Sequence, residues 1–405
     1  MIGNTQPPTR LMRILFIHNR YKFRGGEDVA VEMEASILQN NGHATRTILF
    51  DNDEIGSAGS KLSMGIKAIY NRDSASIVEN AIREFRPDLI HVHNLFFIAS
   101  PSVLYNGWKN KIPVVVTLHN YRLVCANALL MRDNKICELC LPKTFPVSGI
   151  KYKCYRNSAA ESALVTSVTS LHKAAGTWKN KVSKYMVLTE FAKSRFLNST
   201  LNIRADKFVV KPNFIYDPGP GEVKRNGKYL FVGRLSVEKG AAILLQAFAE
   251  QPDLRLELVG EGPLQAELQK EFKVYPNIRF LGHKEKPEVI RLMKSCNALI
   301  FPSIWYEGLP FTIIEAFATG TPVIASNLGA MADIIQHGYN GYHFEPQNSS
   351  DLISQIKAFE KNPLGTQMYA NARESYMNRY HPDIHLQSVI DIYKKVIADH
   401  SAGNN

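Results

Sequence analysis

The chain has 405 residues, 45% of them hydrophobic and 21% charged, a balance that fits a soluble globular protein with more than one core. No apolar run nears the roughly 20 residues that span a bilayer, and residues 1–10 lack the charged-then-apolar order of a secretory signal, so a cytoplasmic protein is expected. The net charge of +11 is uneven: residues 1–216 hold 29 Lys+Arg against 16 Asp+Glu, and residues 217–405 hold 19 against 21. A basic first half would attract anionic lipid, a lipid diphosphate or nucleic acid, and no helix-turn-helix, zinc-finger or RNP-type signature supports the last.

Residues 13–18 form an apolar run suited to a fully buried parallel strand. A loop containing Arg24, Gly25 and Gly26 follows, then a helix over 27–41 with Val29, Val31, Met33, Ile37 and Leu38 on its apolar side, then a strand over 44–50. This is a βαβ unit. The alternation continues with a helix over 74–85, a strand over 88–93, a helix over 101–110 and a strand over 112–119. Residues 121–156 are an insertion without regular periodicity, rich in Cys, Pro and Lys. A single helix is expected over 158–178, a strand over 184–189, a helix over 190–197 and a closing strand over 208–212. Pro218, Gly219, Pro220, Gly221 and Gly227 mark residues 214–228 as a linker.

The second half restarts the pattern, with strands near 229–232, 254–259, 277–281, 297–302, 322–326 and 342–344, separated by helices. Two amphipathic segments, 364–380 and 383–400, finish the chain. The expectation is an α/β protein of two doubly wound Rossmann-like domains, 11–213 and 229–380, facing across a cleft. The last helix, 381–400, could pack back on the first domain. Ligands of such sheets bind at the carboxyl ends of the strands.

The chemistry concentrates in residues 301–321. There a strand delivers a turn carrying Glu307, Gly308, Leu309 and Pro310, and a helix then runs to Thr319 and Gly320. The N–H groups at the start of that helix, beside the positive end of its dipole, are suited to an anion. A second strand-to-helix loop runs from Gly233 to Gly240 and holds Arg234 and Lys239, two cations that could bracket a phosphate. A third loop contains Gly260, Glu261 and Gly262, and His119 stands at the carboxyl tip of an N-terminal strand. Glu307 and Glu315 do not suit a retaining glycosidase pair, whose carboxyls stand about 5 Å apart across the scissile bond.

Residues 231–240, 258–263 and the Glu307/Glu315 pair together resemble the motif set of the retaining GT-B glycosyltransferases of family 4, also called glycosyl transferases group 1. The resemblance covers nearly the whole chain, with the specific motifs in its second half. It implies that Arg234 and Lys239 hold the nucleotide diphosphate and stabilise its departure, so that no catalytic metal is needed. It places Gly233, Gly260, Gly262, Gly308, Leu309 and Pro310 at the donor. By the same likeness Glu315 reads the ribose hydroxyls, Glu307 the transferred sugar, and His119 lies near that sugar. Gly25 and Gly26 match a loop near the donor phosphates.

Asp51, Asn52 and Asp53 spell the Asp-x-Asp of metal-dependent transferases, but their place after an early strand reads as a polar loop. Cys125, Cys137, Cys140 and Cys154 all fall within the insertion and could ligate a structural zinc. The expected activity is transfer of a hexose from a UDP- or GDP-sugar to a saccharide acceptor, lipid-linked, in cell-surface polysaccharide synthesis. This would take place at the inner face of the membrane. The alternatives are a GT-B-fold UDP-N-acetylglucosamine epimerase and a non-catalytic nucleotide-sugar-binding protein.

Overall fold

The structure is a computed structural model that describes residues 11–20, 24–51, 65, 67–222, 224–362 and 365–403. Asn52 and Asp53 lie outside these residues. Two six-stranded parallel sheets form the frame. The first contains β1 (Arg13–Arg20), β2 (Ala44–Asp51), β3 (Leu89–Val92), β4 (Val114–Leu118), β7 (Lys184–Val187) and β8 (Phe208–Val210), in the order β2-β1-β3-β4-β7-β8. Between its fourth and fifth members lies a short antiparallel hairpin, β5 (Met131–Arg132) with β6 (Lys135–Ile136). The second sheet contains β9 (Lys228–Val232), β10 (Arg255–Val259), β11 (Ile278–Gly282), β12 (Ala298–Phe301), β13 (Val323–Ser326) and β14 (Gly341–Phe344), in the order β11-β10-β9-β12-β13-β14. In each sheet the strand order reverses beside the first strand, β1 against β3 and β9 against β12. Crossover helices leave a crevice at such a reversal, and both crevices open toward the space between the domains.

The strands are apolar because both faces of each sheet are covered. β3, β4, β12 and β13 are buried at every residue. Most expected elements form within one or two residues of their expected ends. Residues 158–178, expected as one helix, instead form Ala159–Ala174 and Thr177–Asn180, because Gly176 adopts φ +69° between them. The insertion 121–156 is more regular than its composition suggests. Besides its hairpin it contains a one-turn helix, Val147–Lys151, packed on Ala159–Ala174.

Residues 214–222 and 224–227 lie against the second domain rather than hanging free. Arg225 donates to the carbonyls of Lys294 (2.7 Å) and Gly320 (3.1 Å), and Gly221 N–H donates to Thr319 O (2.8 Å). The final helix, Pro382–Ala402, crosses to the first domain. There Val389, Ile390, Tyr393 and Val396 pack with Met12, Ile14, Phe16, Leu38 and Met186.

Beneath that contact is a polar cluster. Glu34, 2% exposed, forms an ion pair with Lys211, itself 1% exposed. Tyr393 Oη donates to Glu34 Oε1 (3.1 Å), His91 Nδ1 lies 3.0 Å from the same oxygen, and His385 Nε2 lies 3.3 Å from Oε2. Burial works against a charge on Glu34, but Lys211 and His91 outweigh it and hold its carboxyl well below the usual range. Removing one partner of such a pair strands a charge, which costs about 3–5 kcal/mol. Lys211→Met is therefore expected to lower unfolding free energy by about that amount in urea, while Tyr393→Phe, which leaves the pair intact, costs about 1 kcal/mol.

Candidate active site

The loops at the two sheet reversals meet. A cavity of about 290 Å³ is lined by Gly233 and Lys239 from the loop after β9, by Pro302, Ser303, Glu307, Leu309, Pro310, Phe311 and Thr312 after β12, and by Gly26 from the first domain. The loop after β12 turns into the helix Phe311–Ala318 with Pro310 as its N-cap. Among the described residues the N–H groups of Leu309, Phe311 and Thr312 have no protein acceptor. They belong to residues lining a cavity that also holds Lys239, so the wall offers several donors to an anion.

Glu307, 6% exposed, is held by three donors on one oxygen: Lys239 Nζ (2.6 Å), Ser303 Oγ (2.7 Å) and Trp305 Nε1 (2.8 Å). The same lysine thus faces the cavity and anchors the carboxylate. Glu315, 5% exposed, is ion-paired with Lys286 at the start of the helix Lys286–Ser295 and does not line the 290 Å³ cavity. Arg234 is exposed and opens onto a second cleft of about 680 Å³. Arg234, Glu238, Lys239 and Trp305 form one wall of that cleft, and residues of the insertion, including Met131, Arg132 and Lys153, form the other with Asn157. Lys239 belongs to both spaces.

Gly308 has its own steric reason: a Cβ there would stand 2.7 Å from the carbonyl oxygen of His119. The turn therefore approaches the tip of β4 more closely than any side chain allows. Gly260 and Gly262 answer to the protein backbone rather than to the cavity. A Cβ at Gly260, whose φ is +128°, would lie 2.0 Å from Gly233 O, and one at Gly262 would lie 2.4 Å from Leu235 O. Both shape the loop that carries Arg234 and Lys239. Gly25 is the N-cap of the helix Gly26–Asn40, and its N–H donates to Asp28 Oδ2 (2.8 Å).

His119 Nε2 lies 2.9 Å from Nδ1 of His93, on β3's exit loop, and the two rings stack at 5.2 Å. Burial drives His119 down to about 3, Lys211 and His18 push the same way, and Glu34 opposes. The imidazole is neutral at ordinary pH, and its Nδ1 has no protein partner among the described residues. His18 pairs with Asp28 at 2.8 Å, both nearly fully buried, and is likewise lowered by burial. Sequence reasoning missed Lys286, Ser303, Trp305 and the His18–Asp28 pair. The spacing of Ser303, Trp305 and Glu307 was the available signal for two of them.

The four cysteines of the insertion do not converge. No three of their sulfurs lie mutually within 4.8 Å, Cys125 gives its S–H to Asn127 Oδ1 (2.9 Å), and Cys140 lies 3.4 Å from Ser148 Oγ. Burial pushes the Cys125 thiol up to about 11. This arrangement does not fit the expected zinc site. The one convergent set of metal-type ligands among the described residues is Glu34, His91 and His93, where Lys211 already neutralises the carboxylate.

The family model for "Glycosyl transferases group 1" matches residues 216–375. An uncharacterised glycosyltransferase of Methanocaldococcus jannaschii is 36% identical over 299 residues, 72% of this chain and 70% of its own. This chain belongs to the glycosyl transferases group 1 family. A glycogen synthase of Mycobacterium tuberculosis is 25% identical over 298 residues, which cover 72% of this chain and 64% of the synthase's length. The fold is shared with Anabaena HepE, solved with UDP, at a TM-score of 0.66 and 18% identity, covering 95% of this chain and all of HepE. Both domains therefore have the GT-B architecture.

His18, His91, His93, His119 and His385 are all lowered by burial below their ordinary value. In the unfolded chain each binds a proton near pH 6.5, so between the folded values and 6.5 the unfolded state holds more protons. Stability should fall as pH drops below about 6.5, before carboxylates titrate; urea unfolding at pH 7.5, 6.5 and 5.5 should show a stepwise loss.

Proposed function

We propose that the protein is a retaining hexosyltransferase that takes a nucleotide-sugar donor and requires no catalytic metal. The observation that carries this reading is the cavity wall: unpaired backbone N–H groups at a helix start, Lys239, and the carboxylate Glu307 within reach of the same space. The diphosphate of the donor sits against the N–H groups and Lys239, with Arg234 joining from the open side. Positive charge there stabilises the phosphate as it leaves, which is where the transition state gains most. Glu307 accepts from hydroxyls of the transferred sugar, and Glu315 exchanges Lys286 for the ribose hydroxyls. UDP is the first nucleotide to try, since HepE was solved with it.

No side chain is placed as a covalent nucleophile. In the step we favour, the bond between the anomeric carbon and the phosphate oxygen breaks. The acceptor oxygen then bonds to the same face of that carbon, and its proton passes to the departing phosphate. His119, neutral, contributes a hydrogen bond near that centre rather than a charge. The acceptor enters through the cleft between the insertion and Arg234, and we read it as a lipid-linked saccharide of cell-surface polysaccharide synthesis. An epimerase needs no acceptor, and the 680 Å³ cleft contiguous with Lys239 favours transfer.

The test is incubation with radiolabelled UDP- and GDP-sugars and membrane lipid extract. Label moving to lipid or saccharide supports the reading; isomerised donor, or binding without turnover, overturns it. Lys239→Ala should cut turnover by about 10²–10³-fold with the fold intact by circular dichroism. Wild-type turnover in that variant would remove the diphosphate assignment.

A further inference from the structure

The exposed surface of the cysteine-rich insertion beside the cleft carries an unusual combination. Leu139, Phe145, Val147 and Tyr152 are all exposed, at 43–59% of their surface. They belong to one folded unit. Cys140 lies 3.4 Å from Ser148, which brings Leu139 to the helix Val147–Lys151; that helix packs on Ala159–Ala174, and Lys173 reaches the carbonyls of Lys143 (3.1 Å) and Thr144 (3.0 Å). Around these apolar groups, residues 135–156 contain Lys135, Lys143, Lys151, Lys153 and Arg156 against one acid, Glu138, which is paired with Arg195. Lys143, Lys151 and Lys153 are exposed and have no acidic partner among the described residues. Tyr152 and Lys153 stand where this face meets the cleft, since Arg132, a cleft residue, lies 3.7 Å over the Tyr152 ring.

Exposed apolar side chains cost solvation unless something covers them, and a ring of unpaired lysines would repel a second basic copy. An anionic bilayer satisfies both: the apolar groups enter the headgroup region while the lysines meet phosphate. We propose that this face docks the protein on an anionic lipid surface and sets the mouth of the 680 Å³ cleft at the headgroup level. This extends the reading of a lipid-linked acceptor, and it is tested without catalysis.

The experiment is co-sedimentation of the full chain with vesicles of phosphatidylcholine alone and with 30% phosphatidylglycerol. Wild type should bind the anionic vesicles and not the neutral ones, with binding falling at 1 M salt, where the Debye length shrinks to about 3 Å. Lys143→Glu and Lys151→Glu together should weaken partitioning at least about 25-fold, roughly fivefold or more for each position. Phe145→Ser with Val147→Ser should weaken it about tenfold or more. All four positions are exposed, so circular dichroism and urea midpoints should stay at wild-type values. Wild type remaining in the supernatant with anionic vesicles overturns the proposal. So do variants that bind as well as wild type, or vesicle-free dimers abolished by Phe145→Ser with Val147→Ser, which would assign the face to a second copy. Loss of transfer activity with vesicle binding intact would count against the proposed function and leave the docking surface standing.

Discussion

A carboxylate without water organises the first domain. Glu34 comes from the helix after β1, Lys211 from the exit of β8, His91 from β3, and His385 and Tyr393 from the last helix of the chain. Four distant segments must arrive together for that charge to be tolerated, so the cluster specifies their arrangement more than it adds net stability. Its effect reaches the cleft through adjacent rings: the His91 and His93 ring centres lie 4.1 Å apart, and His93 stacks on His119. The neutral state of His119 follows first from its burial, and Lys211 adds to the opposition to positive charge there.

The second domain uses a different economy. Its site is made mostly of backbone, and the side chains serve to fix that backbone. Glu307 takes three hydrogen bonds on one oxygen, which pins the turn before the helix Phe311–Ala318. Gly240, Gly260 and Gly308 then let main chain pass main chain at distances a Cβ would forbid. A cavity built this way is stiff, and stiffness is what a charged leaving group needs from its surroundings.

Much of this was legible from residue patterns. Parallel strands buried on both faces read as apolar runs, and the strand–helix alternation gave two doubly wound units. The loops holding Lys239 and Glu307 stood out because cations, acids and glycines gathered at strand ends. What could not be read were the pairings across long sequence distance. Lys286 with Glu315, His18 with Asp28, and Lys211 with Glu34 depend on tertiary geometry that carries no local period. The close passage of Gly260 and Gly262 against Gly233 and Leu235 is not legible either, because glycine loops serve phosphates and tight packing equally well. The insertion hides its order in the opposite sense. Its left-handed residues, among them Ala128, Leu130, Asp133, Asn134 and Lys153, break periodicity while still building a hairpin and a helix.

The crossing of the last helix changes how the domains can move. The second domain is joined to the first twice, through the segment that follows Lys211 and through the turn before Pro382, and both strands of that connection are anchored on the Glu34 cluster. A body held at two neighbouring points can swing about the line between them but cannot spin freely. The Glu34 cluster is therefore both the buried-charge centre of the first domain and the place where both connections to the second domain are tied down.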